Sequence, residues 1–132
     1  MTNKFLLSCV LCIASYVCVA QQPLPAKVYQ TMTDSTNSID VVFYKDEGGS
    51  VSADGHNVQY FNSFFAKETA DKTKAISAGS VMWLVNGREY LSGIFFLGDS
   101  TGYLVAKKDG KEYVNKITPI GFNFLNGGYK KR

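Results

Sequence analysis

Cysteine is nearly absent from this chain. Its 132 residues include three cysteines, Cys9, Cys12 and Cys18, and all three lie in a short apolar segment at the N-terminus. Residues 21–132 therefore cannot form a disulfide among themselves, and this region can hold neither a catalytic thiol nor a thiolate-bound metal. A domain of this size without disulfides must be stabilised by apolar burial, and a hydrophobic content of 45% is sufficient for it.

Long apolar runs are also missing after the first 20 residues. The N-terminal segment itself has the three parts of a secretion signal: Lys4 is the charged start, an apolar stretch follows, and small residues stand at the −3 and −1 positions before Gln21. We expect cleavage between Ala20 and Gln21, which predicts a secreted, extracellular protein. The apolar stretch is too short for a membrane-spanning helix, and we expect no transmembrane segment. A lipoprotein signal ending at Cys9 is a weaker alternative, because only a few apolar residues precede that cysteine.

Histidine is scarce as well. His56 is the single histidine and lies in a turn signal, residues 54–57, without an accompanying nucleophile motif. The neighbouring Asp46-Glu47 pair lacks the spacing of an EF-hand, and the glycine pairs match no phosphate-binding loop. We therefore expect a non-enzymatic protein with no catalytic residue, no metal ligand and no cofactor.

Positive charge is modest and unevenly placed. The formal net charge is +3, and the last three residues, Lys130, Lys131 and Arg132, are all basic. The body of the chain is thus near neutral, which predicts no binding to nucleic acid. We expect residues 21–132 to form one secreted β domain with a short basic C-terminal tail.

Apolar residues alternate or run in short blocks between Gly, Asn, Asp and Ser, which is the pattern of β-strands and turns. The clearest hairpin has strands at residues 81–85 and 88–97 around Asn86-Gly87, a dipeptide typical of a type I′ turn. Its register predicts that Trp83 faces Tyr90 and that Met82 faces Leu91.

A second hairpin has strands at residues 103–108 and 111–117 around Asp109-Gly110. It predicts that Val105 faces Val114 and that Lys107 faces Glu112. Further strands are expected at residues 27–32, 39–45, 58–65 and 120–125, and residues 68–75 suit a short helix or an irregular segment.

The sum predicts an all-β fold, a small antiparallel β-barrel or sandwich of about eight strands with a C-terminal meander. The meander favours the barrel, because sandwiches usually have Greek-key crossovers.

Aromatic residues make up 14% of the chain, and several lie on predicted strands. One strand face must fill the core, and the other could line a ligand site. The candidate ligand-binding residues are Phe61, Phe65, Trp83, Tyr90 and Phe96. The alternative is that these aromatics are ordinary core and sheet-surface residues.

Three functional hypotheses follow. The first is a secreted binding module for a small apolar or aromatic ligand, or for a partner surface. The second is a secreted effector, toxin or host-defence protein that acts on membranes or foreign cells, for which the basic tail is the clue. The third is an extracellular structural or matrix component that assembles through exposed strand edges.

Overall fold

The computed structural model describes residues 21–45, 49–72 and 74–128. The predicted signal with Ala20 and the three cysteines, the Asp46-Glu47 pair and the basic tail lie outside the described residues. In chain order the elements are α1 (Ala26–Asp34), β1 (Ser38–Phe43), β2 (Ser50–Asp54), α2 (Asn57–Asn62), β3 (Ile76–Val85), β4 (Arg88–Leu97), β5 (Gly102–Lys108), β6 (Lys111–Lys116) and α3 (Pro119–Leu125).

The six strands form one antiparallel sheet in the order β2-β1-β3-β4-β5-β6. The mostly β character and the C-terminal meander from β3 to β6 are confirmed. The expected barrel or sandwich of about eight strands is wrong, because β2 and β6 lie at opposite edges of a single sheet that does not close. Among the described residues, no helix has the length and apolar character that a membrane span requires.

The strand count differs because three segments predicted as strands are helical and one strand, β2, was not predicted. Residues 27–32 lie in α1, most of residues 58–65 form α2 and its C-terminal turn, and residues 120–125 lie in α3. In α1 the buried residues are Val28, Tyr29 and Met32. Tyr29 and Met32 follow Val28 by one and four residues, which places all three on one helical face. Short apolar runs of this kind fit either a strand or a buried helix.

The start of α3 shows a helix signal that the strand interpretation overlooked. The Thr118 side chain accepts a hydrogen bond from the backbone N–H of Gly121 at 3.1 Å, and Pro119 occupies the first helical position. A threonine N-cap followed by proline is a typical helix beginning.

Both predicted tight turns are present. Asn86 and Asp109 have φ of 53°, and the glycines that follow them have φ of 78°, as a type I′ turn requires. In the second hairpin Val105 faces Val114 and Lys107 faces Glu112, which confirms the predicted register.

The first hairpin follows its predicted register only near the turn. An irregularity at Trp83–Leu84 shifts the pairing by one residue, so Trp83 faces Leu91 and Met82 faces Ser92. The predicted pairs of Trp83 with Tyr90 and of Met82 with Leu91 are therefore wrong. A bulge inserts one unpaired residue into a strand, and counting residues outward from the turn does not reveal it.

One face of the sheet carries the hydrophobic core, together with all three helices. Trp83 and Phe95 are fully buried and lie at its centre with side chains from α1, α2 and α3. The Trp83 indole N–H donates to Asn62 Oδ1 at 2.8 Å, and Asn62 Nδ2 donates to the Met32 carbonyl at 3.0 Å. These two bonds connect β3 to α2 and α2 to α1.

The outer edge of β6 is paired, although no further strand follows it. Val114 N–H donates to the Gln22 carbonyl at 2.9 Å, and Lys116 N–H donates to the Glu68 carbonyl at 2.9 Å. The Lys116 carbonyl in turn accepts from Ala66 N–H at 2.8 Å. This edge is therefore covered by two segments, one before α1 and one after α2. At the other edge of the sheet, β2 pairs with β1 alone among the described strands.

Candidate ligand cleft

A cleft of about 620 Å³ lies at one end of the sheet. The end of β1 contributes Phe43, the end of β4 contributes Leu97 and the end of α3 contributes Leu125, and all three side chains are buried. Ile76, the first residue of β3, lines the cleft with 59% of its surface exposed. Apolar side chains from four different elements thus form part of the lining.

The polypeptide geometry explains why these ends meet. Antiparallel pairing places Ile76 opposite Leu97, and Phe43 opposite Gly79 in the same strand β3. The turn after β4 is closed by a 2.8 Å hydrogen bond from Gly98 N–H to the Thr101 carbonyl. A Cβ at Gly98 would lie 3.1 Å from the Lys74 carbonyl oxygen, so glycine permits this turn to pack closely against the segment that enters β3.

Charged side chains also line the cleft. Lys45 follows β1, Lys74 precedes β3 and Asp99 follows β4, and all three are exposed. The ion pairs among the described residues involve other lysines, Lys72, Lys108 and Lys116. Two ammonium groups without an ion-pair partner in the described part of the chain therefore lie beside one described carboxylate and these apolar side chains.

A second cleft, of about 390 Å³, lies between α1 and the segment after α2. Tyr29 lines it, and Lys67 Nζ lies 5.6 Å from the centroid of the Tyr29 ring. The Tyr29 hydroxyl already donates to the Ala66 carbonyl at 3.0 Å, and burial raises the pKa of Tyr29 to about 12. The hydroxyl is thus a neutral donor with a partner inside the protein, which leaves this cleft fewer polar groups for a ligand.

The five aromatic residues proposed from the sequence do not enclose one cavity. Phe61, Phe65 and Trp83 are buried in the core, where the rings of Phe65 and Trp83 lie 5.5 Å apart. Tyr90 is half-buried with Lys108 Nζ 4.3 Å from its ring centroid. Phe96 lies on the opposite face of the sheet, stacked on Tyr103 at 5.0 Å. The structure brings Phe65 and Trp83 together, and neither cleft is lined by any of the five; their role in binding stays a prediction.

The remaining candidates lie apart from both clefts. His56 is exposed in the turn before α2, and Gln21, the predicted first residue after cleavage, is exposed at the start of the described chain. Within the described ranges, no three His, Cys, Asp or Glu side chains come close enough together to hold a metal ion.

No known protein family matches this chain. Neither a curated protein nor a solved structure is similar to it either.

Proposed function

We propose that the chain is a secreted, non-enzymatic binding protein whose ligand is a small apolar or aromatic carboxylate held in the cleft at the end of the sheet. The observation that carries this proposal is the combination of buried Phe43, Leu97 and Leu125 with Lys45 and Lys74 in one cleft. The N-terminal signal pattern supports secretion.

The size of the cleft suits a small molecule. Ligand sites usually measure about 300–1,000 Å³ and combine an apolar lining with a few polar groups that orient the ligand. At about 620 Å³ the cleft lies within that range. The apolar body of the ligand would contact Leu97, Leu125 and the exposed side chain of Ile76.

The lysines favour an acidic head group. Among the described residues of the lining, Lys45 and Lys74 outnumber the single carboxylate of Asp99. An exposed ion pair with a ligand carboxylate contributes about 0.2–1 kcal/mol. Most of the affinity would thus come from apolar contact, while the lysines select an acid over the corresponding alcohol.

The test is calorimetric titration of the secreted protein with decanoate and 2-naphthoate, each compared with its neutral alcohol, decanol or 2-naphthalenemethanol. For ligands of this size, about 0.3–0.5 kcal/mol per heavy atom predicts dissociation constants from about 20 μM to 2 mM. We expect the acids to bind more tightly than the alcohols, and Lys45→Gln or Lys74→Gln to weaken the acids about two- to fivefold.

Two further variants locate the site. Ile76→Glu places a carboxylate on an exposed position of the cleft and should weaken both acids without affecting the fold, whereas Lys111→Gln, at an exposed hairpin tip away from the cleft, should leave binding unchanged. Equal binding of acids and alcohols, or binding by Ile76→Glu at full affinity, would show that the cleft is not the carboxylate site.

A further inference from the structure

The sheet has a second face, which points away from the core and which none of the three helices covers. On this open face Val42 and Ile94 are each 40% exposed, and Met82, Phe96 and Val105 are half-buried. The core cluster contains none of these five side chains. The described residues thus leave an apolar surface in the middle of the sheet, of the kind that marks interaction sites.

Strand pairing arranges the open face in parallel lines across the sheet. One line is mostly apolar, and its members in strand order are Val42, Ser80, Ile94, Val105 and Val114, of which Val114, on the edge strand β6, is already buried. The adjacent line is mostly polar, and its members in strand order are Asp40, Met82, Ser92, Lys107 and Glu112.

The polar line carries opposite charges on either side of the sheet centre. Asp40 lies on β1, where its carboxylate accepts a 2.8 Å hydrogen bond from the Ser52 hydroxyl. Lys107 lies on β5 and is exposed, and it forms no ion pair with a described residue. Strands β3 and β4 separate them, so the two charges lie at equal distances from the middle of the six strands.

We propose that the open face docks against the open face of a second copy of this chain. A two-fold axis that runs parallel to the strands, midway between β3 and β4, superimposes β1 of one copy on β5 of the other. Each Asp40 then faces a Lys107 of the second copy, and each Val42 faces a Val105. A two-fold interface uses the same surface twice and must be self-complementary, and the placement of these four residues meets that requirement.

The dimensions of the face suit such a pair. Six strands at about 4.8 Å spacing and about six residues of about 3.3 Å each give a projected face of roughly 29 by 20 Å, or roughly 580 Å². This is smaller than the about 800 Å² of accessible surface that each partner buries in a standard interface. Corrugated side chains add accessible surface to the projected area, and a face of this size suits a reversible dimer. Packed sheets lie about 10 Å apart with their strands aligned within about 30°, as this axis places them.

The decisive experiment is a charge exchange, measured by sedimentation velocity on the secreted protein across a range of concentrations. We expect a reversible dimer, which Asp40→Lys and Lys107→Asp each weaken at least about tenfold, because each dimer holds two copies of the pair. The double variant carries both exchanged charges and should regain most of the wild-type association.

A second pair of variants tests the apolar line. Ile94→Asp should abolish dimerisation, whereas Ile120→Asp, at a 57% exposed position on α3, should not, and unchanged circular dichroism would show that both fold. A monomer at every concentration, a dimer insensitive to Ile94→Asp, or a double charge variant no stronger than the single ones would overturn the proposal. None of these positions lines the cleft, so ligand binding and dimerisation can fail independently.

Discussion

Asn115 is fully buried and is the only buried polar residue in the part of the chain that the structure describes. Its Oδ1 accepts from Leu24 N–H at 3.0 Å, and its Nδ2 donates to the Ala66 carbonyl at 2.8 Å. One amide therefore satisfies two backbone groups of two separate segments, and both segments lie along the outer edge of β6.

Replacing the Asn115 amide should destabilise the fold. We expect Asn115→Leu to lower the free energy of unfolding by about 2–4 kcal/mol, because it leaves the Leu24 N–H without its partner and removes one of the two hydrogen bonds that the Ala66 carbonyl accepts. Urea denaturation measures the change. Asn123→Leu, at an exposed position on α3, is the matched control and should change stability by less than about 1 kcal/mol; equal effects would show that the two hydrogen bonds contribute little.

Tyr29 gives the fold a dependence on alkaline pH. Burial raises its pKa to about 12, while the ordinary value in an unfolded chain is about 10. Between these values the unfolded chain loses the phenolic proton and the folded chain keeps it, so stability should fall as pH rises from about 10 to 12.

Tyr29→Phe isolates this contribution. The variant should be less stable at neutral pH by about 1 kcal/mol, because its hydrogen bond to the Ala66 carbonyl is lost, and it should lose less stability than the wild type above pH 10. Denaturation curves of both proteins along a pH series measure the difference. Parallel curves would mean that the folded phenol titrates as it does in the unfolded chain.

At the scale of the elements, the type I′ turn between β3 and β4 depends on Gly87. Its φ of 78° lies in the left-handed region, and a Cβ there would meet no atom within 4 Å. A substitution at this turn therefore acts through backbone conformation alone.

We expect Gly87→Val to destabilise the protein by about 1–2 kcal/mol or more, and Gly87→Asn to have a smaller effect, since asparagine adopts positive φ more readily than a β-branched residue. Thermal or urea denaturation of the two variants compares them directly. Equal stabilities would mean that the turn tolerates any side chain.

The two hairpins and the three helices show what the sequence could reveal about the elements. Asn86-Gly87 and Asp109-Gly110 identify their turns because few other dipeptides adopt two successive positive φ values. The helices are short, and six to nine residues hold too few turns for a helical period to differ from a strand block. Each of these helices is stabilised by packing on the sheet, which no local pattern reports.

The cleft belongs to the whole molecule, and this explains why the sequence did not predict it. Phe43, Ile76, Leu97 and Leu125 are distant along the chain, and they become neighbours only through the sheet order and the return of α3. The aromatic ligand-binding candidates are selected by their apolar character alone, and three of them, Phe61, Phe65 and Trp83, are in the core. Apolar character alone could not distinguish a packed interior from a ligand site.

The paired outer edge of β6 limits how copies of this chain could join by strand addition. Among the described strands only β2 presents a free edge, and if the β2 strands of two copies paired, both free edges would be used. Strand addition would then stop at twelve strands. At both outer β6 edges the backbone groups of residues 114 and 116 are already hydrogen-bonded within the chain, so they cannot pair with a further copy. Polymerisation into a fibre by this route is therefore self-terminating.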